Sequence, residues 1–98
     1  MTTVVLRGRE IASELDLHRA LAAALDFGPY YGKNLDALWD RLTTDVERPV
    51  HLVWQESSES RRQLGDELFD KIVALLRDVA ASDVTAGYAE RFTVEILG

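Results

Sequence analysis

Three short runs suited to a pleated surface, Thr3 to Arg7, Val50 to Trp54 and Phe92 to Leu97, stand far apart in the chain with helix-patterned segments between them. Strands joined through a helix rather than a tight turn pair in parallel, because the connection must cross the sheet. The chain is therefore expected to be an α/β protein, a small three-stranded parallel sheet with helices packed on it. The pattern leaves the strand order open.

The intervening segments carry their own boundary signals. Gly8 closes the first run. Ser13 with Asp16 three residues later resembles a helix start, and Leu17, Ala20, Leu21, Ala24 and Leu25 recur on one helical face until Gly28-Pro29 ends the helix. Asn34 is a suitable cap for a second, short helix with Leu35, Leu38, Trp39 and Leu42 at i, i+3, i+4, i+7, stopping near Thr43-Thr44. Residues 55–62 are polar and without apolar periodicity, so they read as a loop or frayed helix start. From about Gly65 to Ala81, Leu68, Ile72, Leu75, Leu76 and Val79 mark a longer amphipathic helix.

Composition narrows the function classes. Ninety-eight residues, 47% hydrophobic and 29% charged, predict one folded domain, 1–98, rather than a disordered chain. Cysteine is absent, which removes thiol nucleophiles and thiolate metal sites and fits a reducing compartment; the cytoplasm is expected. No apolar stretch approaches the roughly 18 residues of a membrane span. A net charge of −6, with the only adjacent basic pair, Arg61-Arg62, flanked by Glu59, Asp66 and Glu67, disfavours direct binding to nucleic acid or anionic membranes and favours a cationic partner.

The informative segment runs from Pro29 to Asp40, with paired tyrosines, a glycine, a helix cap and two acids. Each has an ordinary reading. Asn34 is a cap, and Asp36 suits the positive end of the helix dipole. Trp39 is expected in the core, with an edge able to border the acidic face, and Tyr30 and Tyr31 could be packing residues. Asp40 is harder to absorb, since it lies past the first turn and one turn from a like charge.

The run Tyr30-Tyr31-Gly32-Lys33-Asn34-Leu35-Asp36-Ala37-Leu38-Trp39-Asp40, preceded by Asp16-Leu17-His18 and followed by Leu42-Thr43 and Glu47-Arg48-Pro49, resembles the signature of the barstar family. The resemblance implies a barstar-like fold and an intracellular inhibitor of a secreted, barnase-like microbial ribonuclease, acting as a monomer in a 1:1 complex. It implies that Asp40 is the central binding aspartate, Asp36 the other acid of the inhibitory helix and Tyr30 the stacking tyrosine. Gly32, Asn34, Trp39 and Thr43 match contact positions, Glu47 matches a rim acid, and Asp78 stands where the family has an acid on the later helix. Two features depart from barstar: Asp45 occupies the place of a tryptophan, and cysteines are missing.

An enzyme reading finds no support, since His18 and His51 lie on separate elements without a spacing partner, the first read as surface or capping and the second as a strand residue. Asp36 and Asp40 alone make a poor magnesium site, so neither metal nor cofactor is expected. The alternative is a module of the same fold that binds a cationic partner other than a ribonuclease.

Overall fold

The computed structural model describes residues 1–98. Strands β1 (Thr2–Arg7), β2 (Val50–Gln55) and β3 (Phe92–Ile96) form a parallel sheet whose spatial order follows the chain, β1-β2-β3. The expected α/β architecture is present. In register, Val4 lies opposite Leu52 and Leu52 opposite Val94, while Leu6, Trp54 and Ile96 form the next row. Because strand side chains alternate, this row pattern turns Val4, Leu6, Val50, Leu52, Trp54 and Phe92 toward the helices, where each is buried. The other face carries Val5 and His51 and is more open.

Four helices supply the remaining layer. Helix α1 (Glu14–Leu25) begins as the Ser13 signal indicates, with Ser13 Oγ accepting from the Asp16 amide at 3.1 Å. It ends before Gly28: Asp26 itself takes the left-handed exit, at φ 54°. Helix α2 (Leu35–Asp40) runs into a wider π-helical turn, Arg41–Asp45. Helix α4 (Asp66–Thr85) continues a turn past Ala81. Leu17, Leu21, Leu38, Leu42, Phe69, Ile72, Leu76 and Val79 pack against the sheet side chains in one core.

The segment read as loop or frayed helix is instead an ordered helix, α3 (Ser57–Leu64). Its inward residues are serines, which is why no apolar period marks it. Fully buried Ser60 accepts from Trp54 Nε1 at 3.1 Å and donates to the Gly8 carbonyl at 2.8 Å, so each polar group finds a partner. Gly8 is required here for space: a Cβ at this position would lie 1.7 Å from the Glu56 carbonyl oxygen.

Candidate functional site

The paired tyrosines divide their roles. Tyr31 is buried against Phe27, ring centroids 4.8 Å apart, while Tyr30 is 91% exposed beside it. Beneath the loop, the Tyr31 hydroxyl meets His18 Nδ1 at 2.6 Å, and His18 Nε2 meets Glu14 Oε2 at 2.8 Å. Since an ionised carboxylate only accepts, Nε2 carries the proton, and in the neutral imidazole Nδ1 then accepts from the tyrosine. Burial, then the Glu14 charge, push the Tyr31 hydroxyl up to about 12. His18, expected at the surface or as a cap, is fully buried, because the loop folds Tyr31 back over α1 and supplies its second partner.

The chain then reaches α2 by a short path. Lys33 adopts φ 53°, and Asn34 Oδ1 accepts from the Ala37 amide at 2.8 Å, the cap its position suggested. A Cβ at Gly32 would come within 3.3 Å of the Ala37 Cβ, so a side chain there would crowd the start of α2.

On α2, Leu38 and the following Leu42 are fully buried, and this i, i+4 stripe occupies the core-facing side. Trp39, one residue round the helix from Leu38, is 36% exposed rather than buried in the core. It lines a shallow groove between α2 and α4 with Leu35, Asp36, Lys71, Leu75 and Asp78. The fold thus brings Asp78, distant in sequence, beside Asp36. Asp36 and Asp40 are exposed and, one turn apart, are separated by about 6 Å along the helix axis. Past them, Thr43 Oγ1 donates to the Trp39 carbonyl at 2.7 Å and Thr44 Oγ1 to the Asp40 carbonyl, side-chain bonds that brace the wider turn.

The charges on this face stand apart from most of the others. Asp36, Asp40, Glu47 and Asp78 take part in no ion pair and no side-chain hydrogen bond, a condition shared elsewhere by Glu10, Asp26 and Glu90. By contrast Asp45 pairs with Arg41 at 3.4 Å, Asp66 and Asp70 with Arg61, and Glu67 with Lys71 at 3.5 Å. Glu47 lies on the far flank, in a cleft with Asp26, Asp45 and Val46. No group of three or more acids and histidines is arranged to share a metal ion.

Sequence reasoning had no signal for one buried pair behind this face. Arg48 Nε and Nη2 hold Asp83 Oδ2 and Oδ1 at 2.8 and 3.0 Å, and Arg48 Nη1 donates to the Val46 carbonyl at 2.7 Å. The Phe92 amide donates to Asp83 Oδ2 at 2.7 Å, and the Arg48 guanidinium in particular holds the Asp83 carboxyl below the usual carboxylate range. An isolated aspartate near a helix end gives no hint of a partner 35 residues away.

With this geometry in view, the chain can be compared with known proteins. Residues 1–96 match the family model described as "Barstar (barnase inhibitor)". The chain belongs to the barstar family. A relative from Bacillus subtilis (strain 168), "Putative ribonuclease inhibitor YrdF", is 43% identical over 65 residues, covering 66% of this chain and 71% of that protein. Barstar's is a family of inhibitors rather than of enzymes. No helix of this member is long and apolar enough to cross a membrane.

Proposed function

We propose that this barstar-family chain inhibits a secreted, barnase-like microbial ribonuclease by filling its cationic active site with α2 and the preceding loop. The observation that carries the reading is the face itself: Asp36, Asp40 and Asp78 are exposed and uncompensated on helices whose opposite faces are packed into the core. A ribonuclease must gather arginine, lysine and histidine to hold phosphate, and carboxylates spaced one helical turn apart complement such a cleft. Asp40 accepts charge-assisted bonds from the catalytic cations, Asp36 and Asp78 meet flanking ones, and Tyr30 offers its ring where a nucleobase would stack.

The remaining contacts divide by burial. Trp39 and Gly32 border the covered area, Asn34 and Thr43 contribute polar contacts at its edge, and Glu47 is a rim charge that steers association. The complex is 1:1 and forms in the producer's cytoplasm, guarding it against its own enzyme before secretion. Asp45, already paired with Arg41, replaces an aromatic rim contact of barstar, so the partner preference differs there.

The test is titration into a barnase activity assay at low and physiological salt, with Asp40→Ala in parallel. Expected are stoichiometric inhibition, slower association at higher salt and a loss of at least about 2–5 kcal/mol in the variant, the range for removing one side of a buried charge pair, for which barnase–barstar is itself a reference case. Tight binding by Asp40→Ala equal to wild type would exclude the assigned role of α2. Capture of a cationic protein without nuclease activity, with no inhibition of microbial ribonucleases, would replace the ribonuclease reading.

A further inference from the structure

The proposed face is assembled from pieces that the chain delivers separately: α2, α4 and the segment from Asp45 to Glu47. Backbone hydrogen bonding organises the first two. The third has less of it: Asp45 closes the π-helical turn, and Glu47 and Arg48, outside every helix and strand, take part in no backbone–backbone hydrogen bond. Val46 lies partly against the core, and its carbonyl is held by Arg48 Nη1. The same guanidinium grips Asp83 with two parallel bonds, and the Arg48 and Asp83 side chains are only 10% and 4% exposed. Asp83 lies little more than a turn beyond Asp78 on α4 and also accepts from the first residue of β3.

We infer that Arg48 and Asp83 are positioning residues that lock the Glu47 segment to the α4–β3 corner, so that this acid is presented in one place before a partner arrives. The inference rests on the ribonuclease reading for its partner, but not for its structural half. A planar guanidinium suits the task because it grips both carboxylate oxygens in parallel while a third nitrogen holds a carbonyl, a fixed fork that the single ammonium of a lysine cannot reproduce. A charged pair that only filled space could be exchanged for apolar side chains with little consequence for the surface above it. A positioning pair could not, because the Val46 carbonyl would lose its partner and a rim charge gains little from an unordered segment.

The decisive variant is the double substitution Arg48→Met with Asp83→Leu, which leaves no unpaired buried charge, with Arg48→Lys as the conservative companion. Folding is checked by denaturant unfolding, and the Glu47 amide is followed by 15N relaxation in the free protein. Its order parameter is expected to fall from about 0.85 to below about 0.6 in the double variant, with α2 unchanged. Binding to barnase is then measured with and without Glu47→Ala in both backgrounds. Affinity of the double variant drops by about tenfold, and Glu47→Ala costs at least threefold less there than in the wild-type background. An unchanged order parameter at Glu47, or a full Glu47→Ala effect in the double variant, overturns the inference. Failure of the wild-type chain to bind barnase counts against the ribonuclease reading alone, because the relaxation measurement still decides whether the pair orders the segment. If the double variant does not fold, Arg48→Lys carries the same comparison, and unchanged order there refutes the role of the fork.

Discussion

Replacing Tyr31 by phenylalanine removes one oxygen from a buried chain of three side chains, and its effect should change with pH. In the native protein the hydroxyl donates to His18 Nδ1 at 2.6 Å, and His18 is fully buried. The variant leaves that nitrogen without a partner and without access to water. The cost of an unsatisfied buried acceptor is about 1–3 kcal/mol, so about 2 kcal/mol is expected at pH 7, or roughly 10 °C in Tm for a domain of this size. Above pH 10 the difference between the two proteins shrinks. A hydroxyl pushed up to about 12 from an ordinary 10.0 stays protonated in the native state while the unfolded chain ionises. Its contribution is therefore complete below pH 10 and is lost as pH rises toward 12, by about 2–3 kcal/mol. Phenylalanine has no such limb, so the two stability curves should converge on the alkaline side. Urea unfolding of both proteins from pH 7 to 11.5 reads this directly, since lysines and arginines titrate alike in the two. A loss below about 0.5 kcal/mol at pH 7 would refute the assigned bond, and a variant that keeps the wild-type alkaline slope would refute the raised titration of the buried hydroxyl.

The corresponding acid limb belongs to Asp83, whose carboxyl is held low chiefly by Arg48. Its stabilisation is present above the unfolded value near pH 3.9 and lost as pH falls through the lower native one, so Asp83→Asn should flatten the acid side of a stability curve followed by circular dichroism. Gly8→Ala forces a Cβ against the Glu56 carbonyl, and a loss of about 3 kcal/mol is expected in denaturant unfolding; a neutral result would mean that the β2–α3 turn yields easily. Asn34→Ala removes the acceptor of the Ala37 amide and should cost about 1 kcal/mol, whereas Asn34→Asp retains the cap; thermal melts of the pair separate capping from any contact with a partner.

Local chemistry made much of the protein readable in advance. Strand runs, the Ser13 and Asn34 caps and the i, i+4 apolar stripes all depend on neighbours close in the chain, so their residue types suffice to mark them. The Tyr30–Asp40 block likewise announced its family. What periodicity could not register were contacts between distant residues that use polar atoms. Helix α3 escaped because its core side is serine, and Ser60 is buried only because Trp54 and Gly8 come to it.

The same division runs through the face assigned to binding. The amino-acid sequence by itself determined that two acids lie one turn apart on a capped helix, because helical geometry fixes that spacing wherever the helix sits. It could not determine that Tyr31 is buried and Tyr30 exposed, that Trp39 leaves the core to border a groove, or that Asp78 stands beside Asp36. Nor could it show that Arg48 reaches Asp83. Those outcomes depend on which helix faces meet across the core, a property of the packed whole: burial is shared among segments, and a side chain is inside only when another part of the chain covers it.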